Sequence, residues 1–171
     1  MINILSIILF VIGLTFIIFF VYSILKQSNR MSALFSILSL AGAIYVIGYG
    51  FELRSASVEQ IIFFIKMEYF GLSFVSAFFL LFAYKFYSNK NTPMQMNVAV
   101  LIVPVMTLFL CVTNEYHHLF FKAVAAISYN GHTLARLTAG PVYYIQMAHN
   151  YILLLAGLAA LYRVWRHSMY S

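Results

Sequence analysis

Ile2 to Leu25 reads INILSIILFVIGLTFIIFFVYSIL, a run without one charged side chain. A helix that crosses the roughly 30 Å hydrocarbon core of a bilayer needs about 20 mostly apolar residues, and this run meets that length. It is not read as a cleaved signal peptide, because no basic residue precedes it and the apolar run is too long. Four more stretches follow at 32–51, 61–84, 94–112 and 142–162. Around them the chain is 64% hydrophobic and 8% charged over 171 residues. Soluble domains run at about 45–50% apolar and about 25% charged, so that class is excluded. The expected fold is an all-α integral membrane protein: one domain over residues 1–171 with five transmembrane helices.

The few charges carry the topology. Lys26, Arg30, Lys85, Lys90, Arg163 and Arg166 flank the spans on one side, with no acid among them. Arg54, Lys122 and Arg136 lie on the other side beside Glu52, Glu59 and Glu115. Cytoplasmic flanks carry the excess of Lys and Arg. The N-terminus is therefore expected outside and the C-terminus in the cytoplasm. The formal charge of +6 is then a topology signal, and no nucleic-acid partner is expected. A lone cysteine, Cys111, excludes an intramolecular disulfide.

One loop is long, the outer segment 113–140. Within it Asn130-Gly131 supplies the pair of positive-φ residues that a type I′ turn needs. A small extracellular β-hairpin between the fourth and fifth spans is expected there. It pairs Tyr129 with His132, Ile127 with Leu134 and Ala125 with Arg136, and lies as a lid over the outer helix ends.

Ionisable residues inside spans are costly and face a bundle interior, a cavity or each other. Glu68 lies about seven residues below the outer start of the third span. Lys66 points to another face and has the reach to snorkel to the interface. His149 lies about seven residues into the fifth span, so a similar depth is expected for Glu68 and His149. Tyr45, Tyr49 and Glu52 form one stripe of the second span. Tyr144 and Gln146 stand near the start of the fifth. These seven residues, Tyr45, Tyr49, Glu52, Glu68, Tyr144, Gln146 and His149, make the candidate ligand-binding set. Two readings stand open: polar side chains joining helices by hydrogen bonds, or an outward-opening ligand pocket floored by Glu68 and His149. A proton or ion pathway through Glu68, as in a small transporter or ion-conducting subunit, is the alternative function. Missing polar residues in the inner halves count against it.

No histidine pair has the i, i+4 helical spacing of a zinc site, and a haem would lack a second intramembrane histidine. No Walker glycine loop, Gly-x-Ser-x-Gly elbow or His-Glu-x-x-His pair is present. Neither a metal, a cofactor nor an enzyme activity is expected within these residues.

Four stretches together resemble the N-terminal seven-helix membrane region of bacterial sensor histidine kinases, also found before diguanylate cyclase modules. Gly48, Tyr49, Glu52 and Leu53 are similar to its Gly-Tyr, Glu-Leu pattern at the end of helix two. Glu68, Tyr69 and Gly71 resemble its third-helix signature, and Thr113, Asn114, His118, Leu119 and Phe120 its loop after helix four. Gly140, Pro141 and Tyr143, with Tyr151 later, resemble its entry to helix five. The resemblance implies a multi-pass protein of the bacterial inner membrane, working as a signal-transduction input. Such a region detects an extracellular or membrane-borne small molecule or lipid. It relays helix repacking to a cytoplasmic kinase or cyclase, usually as a homodimer. It also implies two further helices and an output domain beyond Ser171, so the chain is expected to be either a fragment of a longer receptor or a stand-alone short form.

Overall fold

The structure, a computed structural model, describes residues 2–26, 30–88, 92–129 and 132–169. In chain order the elements are α1 (Ile2–Leu25), α2 (Arg30–Glu52), α3 (Val58–Ser88), α4 (Met94–Val112), α5 (Asn114–His117), β1 (Phe121–Tyr129), β2 (His132–Ala139) and α6 (Pro141–Met169). Five of these helices are long and apolar enough to cross a membrane. The expected limits of α1 and α4 hold, and α4 runs unbroken through Pro104. The second, third and fifth spans are longer than their apolar runs. Their polar ends, such as Val58–Gln60 and Arg163–Met169, continue as helix after the hydrophobic stretch has finished. Helix α5 was not anticipated within segment 113–140.

Large side chains point outward and small or polar ones inward. In α1 the buried residues are Ile2, Ser6, Gly13 and Ser23, whereas Ile4, Val11 and Ile18 are exposed. In α2 they are Ser36, Ser39, Ala41, Gly42, Ala43, Val46, Gly48 and Gly50. Lipid tails are as apolar as leucine, so membrane helices associate through close packing of small residues and through hydrogen bonds. This inversion of a water-soluble core is the physical mark of that environment. Between α1 and α2, Ser6 Oγ donates to the Gly50 carbonyl at 3.0 Å, and Phe10 rests on Gly50. Farther along, Ile47 lies on Gly13 and Phe16 on Gly42, which makes the two helices antiparallel.

Helix α3 is the hub, packing on α2, α4 and α6. Its closest approach is at Gly71, where any Cβ would strike the Ala41 carbonyl oxygen and the Tyr45 backbone nitrogen of α2. Toward its other end, Leu80 and Leu81 join Val100 of α4 and Leu153 of α6 in an apolar cluster.

The hairpin forms with the expected partners: Tyr129 opposite His132, Ile127 opposite Leu134, and Ala125 opposite Arg136. The Asn130-Gly131 turn itself lies outside the described residues. Near the base Phe121 pairs with Ala139 and Ala123 with Thr138, so Lys122 is an extra residue that bulges the strand. Phe120 and Phe121 bury against Ile61, Ile65 and Tyr69 of α3 and against Cys111 of α4. Asn114 holds this base from α5. Its Oδ1 accepts from the Phe120 and Phe121 amides at 2.8 and 3.1 Å, and its Nδ2 donates to the Phe121 carbonyl at 2.8 Å.

Candidate functional site

The stripe expected on α2 is present. Tyr45 and Tyr49 stack with ring centroids 6.4 Å apart and planes 10° from parallel. Both rings are half-buried. Opposite them Glu68 is 5% exposed, on the face of α3 that meets α2. Gly48 makes room for it: a Cβ there would lie 2.7 Å from Glu68 Cγ. Glu52, three residues past Tyr49, brings a second carboxyl near that of Glu68. Glu68 Oε1 is nevertheless buried with no hydrogen-bond partner among the described residues. Four of the seven predicted residues therefore form one cluster in the α2–α3 contact.

The other three are elsewhere. Gln146 is 1% exposed and sits where α3, α4 and α6 meet. Its Oε1 accepts from Thr107 Oγ1 at 2.8 Å. Its Nε2 donates to the Ser73 carbonyl at 3.1 Å and to Asn150 Oδ1 at 2.9 Å. Ser76 Oγ adds a bond to Asn150 Oδ1 at 2.7 Å. Thr107, Ser73 and Ser76 were not singled out from the sequence. A hydroxyl inside an apolar run gives no positional signal until the facing helix is known.

These bonds also set the depth of α6. Gln146 lies level with Ser73 and Asn150 with Ser76, the two helices running in the same direction. His149 is then level with about residues 75 and 76 of α3, some seven residues beyond Glu68, or roughly 10 Å at 1.5 Å per residue. The similar depth expected for Glu68 and His149 is not found. The reason is the hairpin: Phe120 and Phe121 occupy the space beside the first turns of α3, so α6 starts lower. His149 Nδ1 is buried without a hydrogen-bond partner among the described residues. Tyr144 is 63% exposed on the outside of the bundle. The small cavity under the hairpin base, about 110 Å³, is lined by Ile65, Tyr69, Phe121, Leu137 and Tyr143, and by none of the seven.

Lys66 reaches outward as its length suggested, and its Nζ lies 2.6 Å from Glu115 Oε1 on α5. The described residues contain no group of three or more His, Cys, Asp or Glu side chains able to hold a metal ion.

Residues 7–170 match the family described as the N-terminal 7TM region of histidine kinase. The chain belongs to that family. It is a membrane region of the sensory input kind, and its five long helices stand against the seven in the family's description. The family region is an N-terminal sensor segment and not a catalytic domain. No curated protein and no solved structure matches the chain at a significant level. In this histidine-kinase 7TM region the motif residues occupy tight places. Gly71 admits α2, Gly48 admits Glu68, and Gly140 lies against the Leu119 carbonyl at the hairpin base. Asn114 clamps the same base, and Phe120 is fully buried beneath it.

Proposed function

We propose that this region detects a small cationic or amphipathic molecule, or a lipid, at the cluster of Tyr45, Tyr49, Glu52 and Glu68. It passes the event on as a change in α2–α3 packing. The observation that carries this reading is the unpartnered, buried Glu68 Oε1 beside a second carboxyl and two stacked tyrosine faces. A buried polar atom without a partner costs free energy, and a ligand that donates a hydrogen bond there removes that cost. Tyrosine faces and carboxylates together suit a cation. A cationic group seated beside Glu52 and Glu68 would favour their ionised forms and alter the fit over Gly48. Ligand and packing are then linked, because a ligand shifts an equilibrium only by its difference in affinity for the two states.

In this reading the hairpin end faces outside and the basic end faces the cytoplasm of a bacterium, in its inner membrane. Arg163 and Arg166 mark where α6 leads toward a kinase or cyclase module, working as a homodimer. His149, deeper in the bundle, is a second contact for a ligand that reaches past the cluster. Gln146 joins helices, and Tyr144 faces lipid.

The test is autophosphorylation of the kinase carrying this region, in nanodiscs titrated with octylamine as a single-chain cation. Glu68→Gln and Glu52→Gln should each flatten the dose–response while expression and insertion stay unchanged. A wild-type response in both variants would sink the proposal. The sidedness has its own check in a Cys111→Ser background. Thr138→Cys should react with a membrane-impermeant maleimide on intact cells, and Arg163→Cys only after permeabilisation.

A further inference from the structure

At the end of the bundle opposite the hairpin, a cleft of about 320 Å³ opens between α2, α3 and α4. Its walls are apolar, from Ala33, Leu34 and Ile37 of α2, Phe78 and Leu81 of α3, and Leu101 of α4. Its mouth holds two cations, Arg30 and Lys85, and among the described residues no carboxylate lines it. Asn97 of α4 also lines it, and Asn97 Oδ1 is buried with no hydrogen-bond partner among the described residues. A second groove, about 330 Å³ and wholly apolar, runs along the outer side of α4 from Met94 to Met106. The two share Asn97 and Leu101. They therefore diverge from one point, one passing into the bundle and one lying on its surface. Met94 to Met106 is twelve residues, or about 18 Å along a helix, a length that suits a fatty-acyl chain.

We infer that this forked cleft is a binding site for one anionic diacyl glycerophospholipid with a hydroxyl-bearing headgroup, phosphatidylglycerol in chemical type. The phosphate lies at Arg30 and Lys85. One acyl chain enters the cleft between α2, α3 and α4, and the other follows the groove on α4. The headgroup hydroxyl donates to Asn97 Oδ1. Each element suits one feature: an anion lies beside the charges of Arg30 and Lys85, two chains fit two apolar grooves from one origin, and a hydroxyl answers a buried acceptor. Basic pockets between transmembrane helices recognise anionic headgroups in this way. The site uses none of the residues of the Glu68 cluster, and it holds whichever leaflet meets this end of the bundle.

Native mass spectrometry of the detergent-purified chain tests it, with dimyristoyl phosphatidylglycerol and dimyristoyl phosphatidylcholine as probes. One phosphatidylglycerol should bind, preferred over phosphatidylcholine by about 30-fold for two cations at the headgroup level. Arg30→Gln with Lys85→Gln should bring that preference close to one. Asn97→Leu should lower phosphatidylglycerol binding severalfold and leave phosphatidylcholine unchanged. Equal binding of both lipids by the wild type overturns the inference, as does a preference that survives the double substitution. Competition by inorganic phosphate at millimolar concentration overturns it too, since the site would then recognise phosphate alone. Ala33→Phe fills the cleft without touching either cation and should weaken both lipids. Unchanged binding to that variant overturns the acyl assignment even if the double variant fails to insert.

Discussion

Helix α3 carries polar groups on two faces, and the two contacts they make are opposites. Toward α4 and α6, Gln146, Thr107, Asn150 and Ser76 form a neutral network with the Ser73 carbonyl, in which both ends of the Gln146 amide are engaged. Toward α2, Glu68 brings a carboxyl with a buried, unpartnered oxygen against Glu52 and the Tyr45–Tyr49 pair. A network with its hydrogen bonds made holds helices together and gains nothing from a newcomer. A contact with one left unmade is open to a ligand. Burial alone does not separate them, since Gln146 and Glu68 are both almost fully enclosed. Ser73 Oγ beside the neutral network is also buried without a partner, but the unmet atom of the acidic face belongs to a carboxyl, and that makes this face the candidate for sensing.

The largest way to break the acidic face is to push its helices apart. Gly71→Ala should destabilise the bundle by about 3 kcal/mol, because the added methyl meets the backbone of α2 and not a side chain that can turn aside. Gly157→Ala is the control. Its methyl would meet the Phe79 ring, a side chain that can swing, so its effect should be clearly smaller in the same detergent unfolding titration. A comparable cost for both substitutions would mean that the α2–α3 crossing is not specially tight.

On the neutral face Gln146→Leu removes three hydrogen bonds. At about 0.6 kcal/mol each the loss is about 2 kcal/mol. Thr107→Val should cost less, and the two together should cost less than their sum, since they share one bond. Strict additivity in that cycle would show that Thr107 and Gln146 act apart. Glu68→Gln should leave stability within about 1 kcal/mol, because the amide keeps the shape over Gly48 and can donate to Glu52. Its effect belongs in signalling. A loss of stability as large as that of Gln146→Leu would make Glu68 a structural residue and erase the contrast between the faces.

The legible part of this molecule was the part written in long-range composition. Five apolar runs showed five helices, and Asn130-Gly131 pointed to a hairpin register that the strand pairs follow from Tyr129–His132 to Ala123–Thr138, short of the bulge at Lys122. The stripe of Tyr45, Tyr49 and Glu52 needed only the period of one helix, and Glu68 faces it. What could not be read was the relative depth of α3 and α6. That depends on Phe120 and Phe121 filling the space beside Ile61, Ile65 and Tyr69, which is a packing result between elements. A count of residues from each span's start treats all outer ends as level. The hairpin base makes them unequal, so His149 lies about two turns deeper than Glu68. The same blindness hid Ser73, Ser76 and Thr107, whose hydroxyls acquire a role only when Gln146 arrives from another helix.

A last, smaller effect separates Glu68 from Glu115, another acid at its end of the bundle. Lys66 is two residues from Glu68 and points to another face, where its ammonium hydrogen-bonds Glu115. That bond and the accompanying charge attraction hold the Glu115 carboxyl below its ordinary value of 4.5. A depressed carboxyl contributes stability in full above its unfolded pKa and loses it as pH falls through the folded one. Glu115 is open to water, so the contribution is small and screened. Wild type and Glu115→Gln should therefore differ slightly in melting temperature at pH 7, and the difference should close on acidification below about pH 4. Added salt should close it as well. A difference that persists in acid would assign Glu115 a role other than its pairing with Lys66. Should it close as expected, Lys66 is a tether from α3 to the hairpin base, and among the described residues no cation pairs with Glu68.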